Sequence, residues 1–308
     1  MKKGVRNHLN SLRKGYRFFY TETFFKKVYK TSAIRKARMP ELIETTSLQT
    51  LEEIARESRK IENVVLVNNY LPSIERDITS YNQNLDLAAI AADIETLLIQ
   101  QRVSMIKKRV LQNNQPLLVA DLGCGQGIFV VLMNRKHEKE GIVVFGIDNS
   151  VYSCFLPYLA LGSSDSFLEE VKDMINHNFN VPRDWFEKLY RKTISQYELT
   201  ESEIRSDRFI VGDIQGLKHI PDNSFHAIIS CYVFVHEDSQ ERQIKFVEEL
   251  DRILIPEGIA ILHVRNKFEP LYHVQGRRHF GLYQDKEKGC NIVTWGLGDS
   301  LKLPEQIP

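Results

Sequence analysis

The sequence predicts an α/β protein: a doubly wound, mostly parallel sheet preceded by an N-terminal helical extension. Three observations point there. Short apolar runs of strand length recur after Pro116, several of them ending on an acid. Segments with helical spacing separate those runs, the pattern of parallel strands joined by crossover helices. A glycine-rich turn, Asp121-Leu-Gly-Cys-Gly-Gln-Gly127, follows the first run directly. Composition agrees with a packed core: 43% of the 308 residues are hydrophobic and 26% charged, which excludes wholesale disorder. With 16 glycines and 4 cysteines, a collagen-like or disulfide-framework chain is excluded as well.

Three regions follow in order. Residues 1–40 form a basic, aromatic arm, with twelve lysines and arginines against the single acid Glu22. Because the whole chain has a formal net charge of only +1, the remainder is acidic. Tyr16, Phe18, Phe19, Tyr20, Phe24, Phe25 and Tyr29 are threaded through the arm. Such a segment suits a nucleic acid, through phosphate contacts and base stacking, or an anionic membrane surface. It equally suits an aromatic face docked on the acidic remainder of the chain. Residues 41–115 read as a helical cap. Thr50-x-x-Glu53 has the form of a capping box ahead of Leu51, Ile54, Ala55, Ile61, Val64 and Val65. Pro72 interrupts that pattern, and a second long helix is expected over residues 85–111, before Asn113-Asn-Gln-Pro116. Residues 116–308 form the α/β unit.

Within that unit, Leu117-Leu-Val-Ala120 is a short buried strand, and helical spacing follows from Ile128 to about Lys136. Ile142-Val-Val-Phe-Gly-Ile-Asp148 and Phe209-Ile-Val-Gly-Asp213 are further apolar runs ending on an acid. Phe225-His-Ala-Ile-Ile-Ser230 reads as a fourth strand and Gly258-Ile-Ala-Ile-Leu-His-Val264 as a fifth, with a helix between them. The stretch between the second and third runs is long, and residues 159–205 read as a mostly helical insertion suited to a lid, carrying Trp185, Phe186, Tyr190 and Tyr197. Beyond Pro270, Ile292-Val-Thr-Trp295 is a candidate strand and a second closing strand is not evident.

Ligands of doubly wound sheets sit beyond the carboxyl ends of the strands, where the topology reverses. Gly123, Gly125 and Gly127 lie at such an end and open a helix. Glycine is needed where the chain turns tightly and a ligand meets the main chain without a Cβ in the way. The helix N-terminus offers free N–H groups to an anionic group. A dinucleotide fingerprint would need glycine at 128, where Ile128 stands, and has no place for Asp121. Asp148 ends the second run and can accept two hydrogen bonds from vicinal ribose hydroxyls; its structural alternative is a helix cap, which Asn149 or Ser150 could supply instead. Asp213 can take an adenine amino group while Ile214 covers the ring, with a turn aspartate as the alternative.

Asp121-Leu-Gly-Cys-Gly-Gln-Gly127 resembles motif I of the class I S-adenosylmethionine-dependent methyltransferases, and Asp148 and Gly212-Asp213 match that family's next two cofactor motifs. Ile220-Pro-Asp-Asn-Ser-Phe-His-Ala-Ile-Ile-Ser230 resembles its fourth-strand motif. Leu254-Ile-Pro-Glu-Gly-Ile259 resembles the L-x-P-G-G turn before its fifth strand. The likeness spans about residues 117–264 and is nearest to the broad small-molecule branch. Two positions depart from it: His226 replaces the usual aspartate and Glu257 the usual glycine, both where structure rather than cofactor is served. The resemblance implies a Rossmann-like fold and S-adenosyl-L-methionine as cofactor. Its methionine end would lie over Gly123, Gly125 and Gly127, with Asp121 at its amino group and the main chain near Cys231 bordering the methyl.

On the acceptor side, Cys231, Tyr232, His236 and Glu237 follow the fourth strand. His236 is the candidate general base, since imidazole titrates near neutral pH; a cap or buried structural histidine is its alternative. Cys231 follows Ser230 rather than the proline of cytosine-5 enzymes, and Ser230-Cys-Tyr-Val lacks the prolines of adenine-N6 enzymes. The expected activity is methyl transfer to a small molecule or a protein side chain by in-line displacement. An RNA or DNA acceptor held by residues 1–40, or a catalytically silent cofactor- or partner-binding module, are the alternatives. Scattered cysteines without a C-x-x-C pair imply no metal site and reduced thiols. No apolar run approaches the roughly 18 residues of a transmembrane segment. No secretory signal is evident either, so a cytoplasmic location is expected.

Overall fold

The computed structural model describes residues 46–64, 115–150, 166–179, 188, 191, 194–195, 197–231, 240–265, 279–285 and 290–296. Four α-helices have their bounds there: α1 (Leu48–Glu57), α2 (Ile128–His137), α3 (Ser166–Phe179) and α4 (Gln240–Ile253). Seven strands, β1 (Leu117–Leu122), β2 (Ile142–Asp148), β3 (Phe209–Val211), β4 (Phe225–Cys231), β5 (Leu254–Arg265), β6 (His279–Asp285) and β7 (Cys290–Gly296), make one sheet in the order β3-β2-β1-β4-β5-β7-β6. The first five are parallel; β7 pairs antiparallel with both β5 and β6.

Every residue of β1, and all of β2 except Asp148, is buried, as strands covered on both faces must be. Alternation decides which side chain faces which layer. Leu118, Ala120, Val143, Phe145 and Ile228 point to one face, where they meet Leu51 and Ala55 of α1 and Phe246, Val247 and Leu250 of α4. Leu117, Val119, Val144, Ala227 and Ile229 point to the other, against Ile128, Val130 and Val131 of α2. Tyr197, expected in the insertion's lid, packs against this second cluster together with Ile194. The described part of the insertion is helical over α3.

α1 differs from the sequence expectation at both ends. Its N-cap is Ser47, whose Oγ accepts the Thr50 N–H at 3.1 Å, so the helix starts before the Thr50-x-x-Glu53 box. It stops at Glu57, and Ile61, which the periodicity puts on the same helical face, belongs to a short 3-10 turn. Tertiary bonding sets that stop: Ser58 Oγ donates to Ala55 O and accepts the Val211 N–H of β3, both at 2.9 Å. The helix expected over residues 85–111 lies outside the described residues.

Charged side chains pin α1 to the sheet. Arg208, its side chain 3% exposed, pairs with Glu52 of α1 and at 2.9 Å with Glu138, which follows α2. Its guanidinium lies 5.4 Å from the centroid of the Phe145 ring. Arg205 joins the same group through Asp207, Glu138 and Glu52. Elsewhere, Arg252 of α4 donates to the carbonyls of Leu217 and Ile220, each at 2.8 Å, and pairs with Glu249 and Asp222. It thereby holds the loop between β3 and β4.

Two further departures concern strands. Leu254 already pairs with Phe225, and pairing resumes at Ala227 and Ile259, so Ile255–Gly258 bulge out of a continuous β5 instead of forming a turn ahead of it. Gly258 packs closely there: a Cβ would come 2.5 Å from Leu254 Cδ1 and 3.0 Å from His226 O, so the Leu254 side chain would have to move. Both closing strands are present; β6 carries Gly281 in its interior and polar residues at its ends, which weakens its local strand signal.

His226, the departure from the family pattern, is 1% exposed, and its Nδ1 accepts the Leu118 N–H of neighbouring β1 at 3.1 Å. It serves the sheet as an acceptor, a task a carboxylate also performs. Burial pushes its pKa down to about 4. The unfolded imidazole takes up a proton near pH 6.5 and the folded one does not. Stability is therefore full above about 6.5 and falls by on the order of 3 kcal/mol as pH drops toward 4. Denaturant unfolding against pH should show that slope in the native protein and a flatter profile in His226→Asn, which keeps an acceptor but does not titrate.

Candidate active site

The strand order reverses between β1 and β4: the chain runs outward from β1 through β2 to β3, then returns to add β4 and β5 on the opposite side. The loop after β1 is therefore at the switch point, where a crevice is expected in this class of sheet. Ser230 Oγ donates to Leu122 O at 2.9 Å and ties the tips of β4 and β1 together there.

Gly123, Gly125 and Gly127 have φ of 74°, 54° and 75°, the left-handed region that residues with a Cβ disfavour. The Gly123 N–H donates to Ile147 O (2.7 Å), and the Gly127 N–H to Cys124 O (2.9 Å). Gly127 then caps α2, with its carbonyl accepting the Val131 N–H at 3.1 Å. Gly125 turns its N–H to the adjacent strand tip, donating to Asp148 Oδ2 at 2.9 Å. Asp148 thus faces the glycine loop. Its Oδ1 accepts the Ser150 N–H at 2.8 Å, so the turn-capping alternative is also realised. Burial raises the Asp148 pKa, and the N–H groups of Ser150, Gly125 and Asn149 partly oppose that.

Asp121 is 4% exposed, and among the described residues no hydrogen bond reaches its carboxylate. Burial, with the charge of Asp148 adding to it, pushes its pKa up to about 8. A buried acid with neither donor nor cation beside it among the described residues is poised for a cationic partner. With the loop N–H groups and Asp148 beside it, the donor set fits an amino-acid sulfonium nucleoside: a carboxylate for an ammonium, a second for hydroxyls, main chain open to close approach.

Asp213 follows β3 and is exposed. The Gly212 N–H beside it donates to Asp148 O at 3.1 Å, which sets the two acid-bearing strand ends side by side. Asp213 Oδ1 accepts the Gln215 N–H at 3.0 Å and its carbonyl the Gly216 N–H at 2.9 Å, a turn that uses the residue structurally. Ile214 is partly buried against the sheet's first core cluster. Cys231 ends β4 in register with His263 of β5. His236, Tyr232 and Glu237 lie outside the described residues, as do residues 1–40 and Trp185, Phe186 and Tyr190.

Residues 179–262 match the family model described as a methyltransferase domain. Over those residues the chain is a methyltransferase domain by family match. The matched segment begins downstream of the glycine loop and takes in β3, β4, α4 and most of β5. No curated protein matches the chain. Among solved structures it is similar to a TehB-like SAM-dependent methyltransferase from Corynebacterium glutamicum, at 17% identity over 74% of this chain and 100% of that one, TM-score 0.39. It is also similar to the rRNA methyltransferase AviRa from Streptomyces viridochromogenes (11%, 67% and 86%, 0.37). A SAM-dependent methyltransferase from Aquifex aeolicus shows a comparable likeness (15%, 64% and 89%, 0.31).

Two features of the candidate site had no sequence signal. Ser230 reads as an ordinary strand residue until β4 is set beside β1. Phe209, at the start of β3, proves to lie under the glycine loop: a Cβ on Gly127 would come 2.2 Å from its Cε1, and one on Gly146 2.9 Å from its Cδ1. Among the described residues no helix is long and apolar enough to cross a membrane.

Proposed function

We propose that the protein transfers the methyl group of S-adenosylmethionine to a small-molecule or protein acceptor by in-line displacement. The observation that carries the reading is the Gly125 N–H bond to Asp148, which puts a carboxylate at the glycine turn beside the buried carboxylate of Asp121, to which no described residue bonds. The bound sulfonium supplies an already activated methyl, so the chain's task is alignment and, where the acceptor demands it, removal of a proton.

In this reading Asp121 takes the ammonium of the methionine end, which lies over Gly123, Gly125 and Gly127. Asp148 takes the ribose hydroxyls with its remaining acceptor capacity. Asp213 takes the adenine amino group and Ile214 its face, while the main chain at Cys231 borders the methyl. His236 accepts the acceptor's proton as general base. The scattered cysteines agree with a reducing, cytoplasm-like compartment.

A second reading rests on residues 1–40, whose cations and rings suit an RNA or DNA acceptor. One experiment separates these from a silent binding module. Calorimetric titration with S-adenosylmethionine should show binding, and incubation with methyl-labelled donor and fractionated cell extract should place label in the small-molecule or protein pool. Label in RNA or DNA, with binding that weakens steeply with salt and is lost on deletion of residues 1–40, would replace the first reading by the second. Binding without transfer to any fraction would favour the silent module.

A further inference from the structure

We propose that Phe209 is a positioning residue for the cofactor loop, its ring occupying the space where Gly127 and Gly146 lack side chains and so holding the loop main chain in one conformation. The inference rests on the reading above, in which that loop receives the cofactor.

Three glycines with positive φ in five residues give the loop more conformational freedom than any other residue type would, so its shape must be imposed from outside. Hydrogen bonds impose part of it, from Gly123, Gly125 and Gly127 to Ile147, Asp148 and Cys124. The remainder is packing. Phe209 stands directly opposite Gly146 in the parallel register of β2 and β3. From there its ring reaches across to Gly127, the residue that ends the loop and caps α2. The position of a Gly127 Cβ lies 2.2, 2.7 and 3.3 Å from the ring's Cε1, Cζ and Cδ1. The ring therefore touches the glycine's main chain itself. Cys124 closes the same spot, its Sγ lying 2.7 Å from where a Gly146 Cβ would be.

The ring is in turn held. Phe209 is 3% exposed, and its N–H donates to Ser206 O at the end of a 3-10 turn. That turn contains Arg208, clamped between Glu52 and Glu138 over the Phe145 ring. The support runs from α1 through Arg208 to Phe209 and on to the loop, with no contact to the cofactor required.

The test uses the full chain, with Phe209→Leu, Gly127→Ala and the double variant. Leucine removes the ring atoms nearest Gly127 while filling most of the core volume. Phe209→Leu should bind S-adenosylmethionine about tenfold more weakly because the loop is no longer pre-organised. The loss should appear in the KM for the donor and much less in kcat, and Phe209→Met, which fills volume without rigidity, should share it. Gly127→Ala should lose more, and in the double variant part of that loss should return, because the clash is gone although the strained φ remains. Phe209→Leu or Phe209→Met that folds and binds as the parent does, or strict additivity of the two substitutions, would overturn the proposal. A native protein that binds no S-adenosylmethionine would sink the cofactor reading instead. The coupling of the two substitutions in urea unfolding would still decide whether the ring seats the loop.

Discussion

Asp121→Asn should make the ligand-free protein more stable near neutral and alkaline pH while making it a poorer binder of its cationic cofactor. The carboxyl is 4% exposed, no described residue bonds it, and Asp148 adds its own negative field, so ionisation in the folded state is held back to about pH 8. The ordinary value is 3.8. Below that, folded and unfolded chains both keep the proton and Asp121 contributes nothing. As pH rises through the window between 3.8 and about 8, the unfolded chain ionises while the folded one stays protonated. The folded state then binds more protons and stability falls with each pH unit, levelling off above about 8 after a loss on the order of 5 kcal/mol. Asparagine, nearly isosteric, does not titrate and escapes that loss. Urea unfolding at about pH 5 and about pH 8.5 should therefore show a stability gap between variant and parent that widens with pH. Parallel profiles would mean that Asp121 does not carry this burden.

The same residue should couple binding to proton release. An ammonium arriving at Asp121 favours the carboxylate, so below about pH 8 the proton must leave as the ligand enters. Calorimetry in buffers of different ionisation enthalpy should register that release near pH 7 in the parent and none in Asp121→Asn. A buried acid that destabilises the free protein and is relieved by ligand is the trade between stability and function expected at a working site.

Asp148→Ala should lower S-adenosylmethionine affinity by at least about a hundredfold, since a hydrogen bond to a charged group is commonly worth about 1.5–3 kcal/mol and two hydroxyl partners are lost together. Part of the effect acts through the protein: Gly125 loses the acceptor that now takes its N–H at 2.9 Å, and Ser150 loses the other oxygen. Asp148→Asn separates the two contributions. Its carbonyl can still receive the Gly125 N–H, so the loop keeps its shape while the charge that strengthens ribose bonding is gone, and affinity should fall between parent and alanine. Titration of the three proteins checks the order. An alanine variant that binds like the parent would remove Asp148 from the ribose.

Much of this candidate site is legible in the order of the residues. Asp121, the three glycines and Asp148 were identified from a strand–turn–helix passage and from a second strand ending on an acid, and the glycine φ values and the Gly125–Asp148 bond are what such a passage requires. Asp213 was readable as a residue at a strand end. That its Oδ1 accepts the Gln215 N–H, leaving Oδ2 for a ligand, depends on the turn the chain makes after β3. His226 looked like a departure from a motif and turned out to be a sheet acceptor, because the donor it serves, Leu118, lies on another strand.

Local chemistry is written in neighbouring residues. Apolar runs bury themselves as inner strands, and glycines mark positive φ; no distant partner is needed to state either. That is why β1 to β5 and the glycine turn could be named from residue order alone. The end of α1 at Ser58, the pairing that makes β6 a strand, the seating of Phe209 beneath Gly127 and the raised pKa of Asp121 depend on groups remote along the chain. Each arises from the exclusion of water and the contact between layers, and neither exists until the sheet has closed.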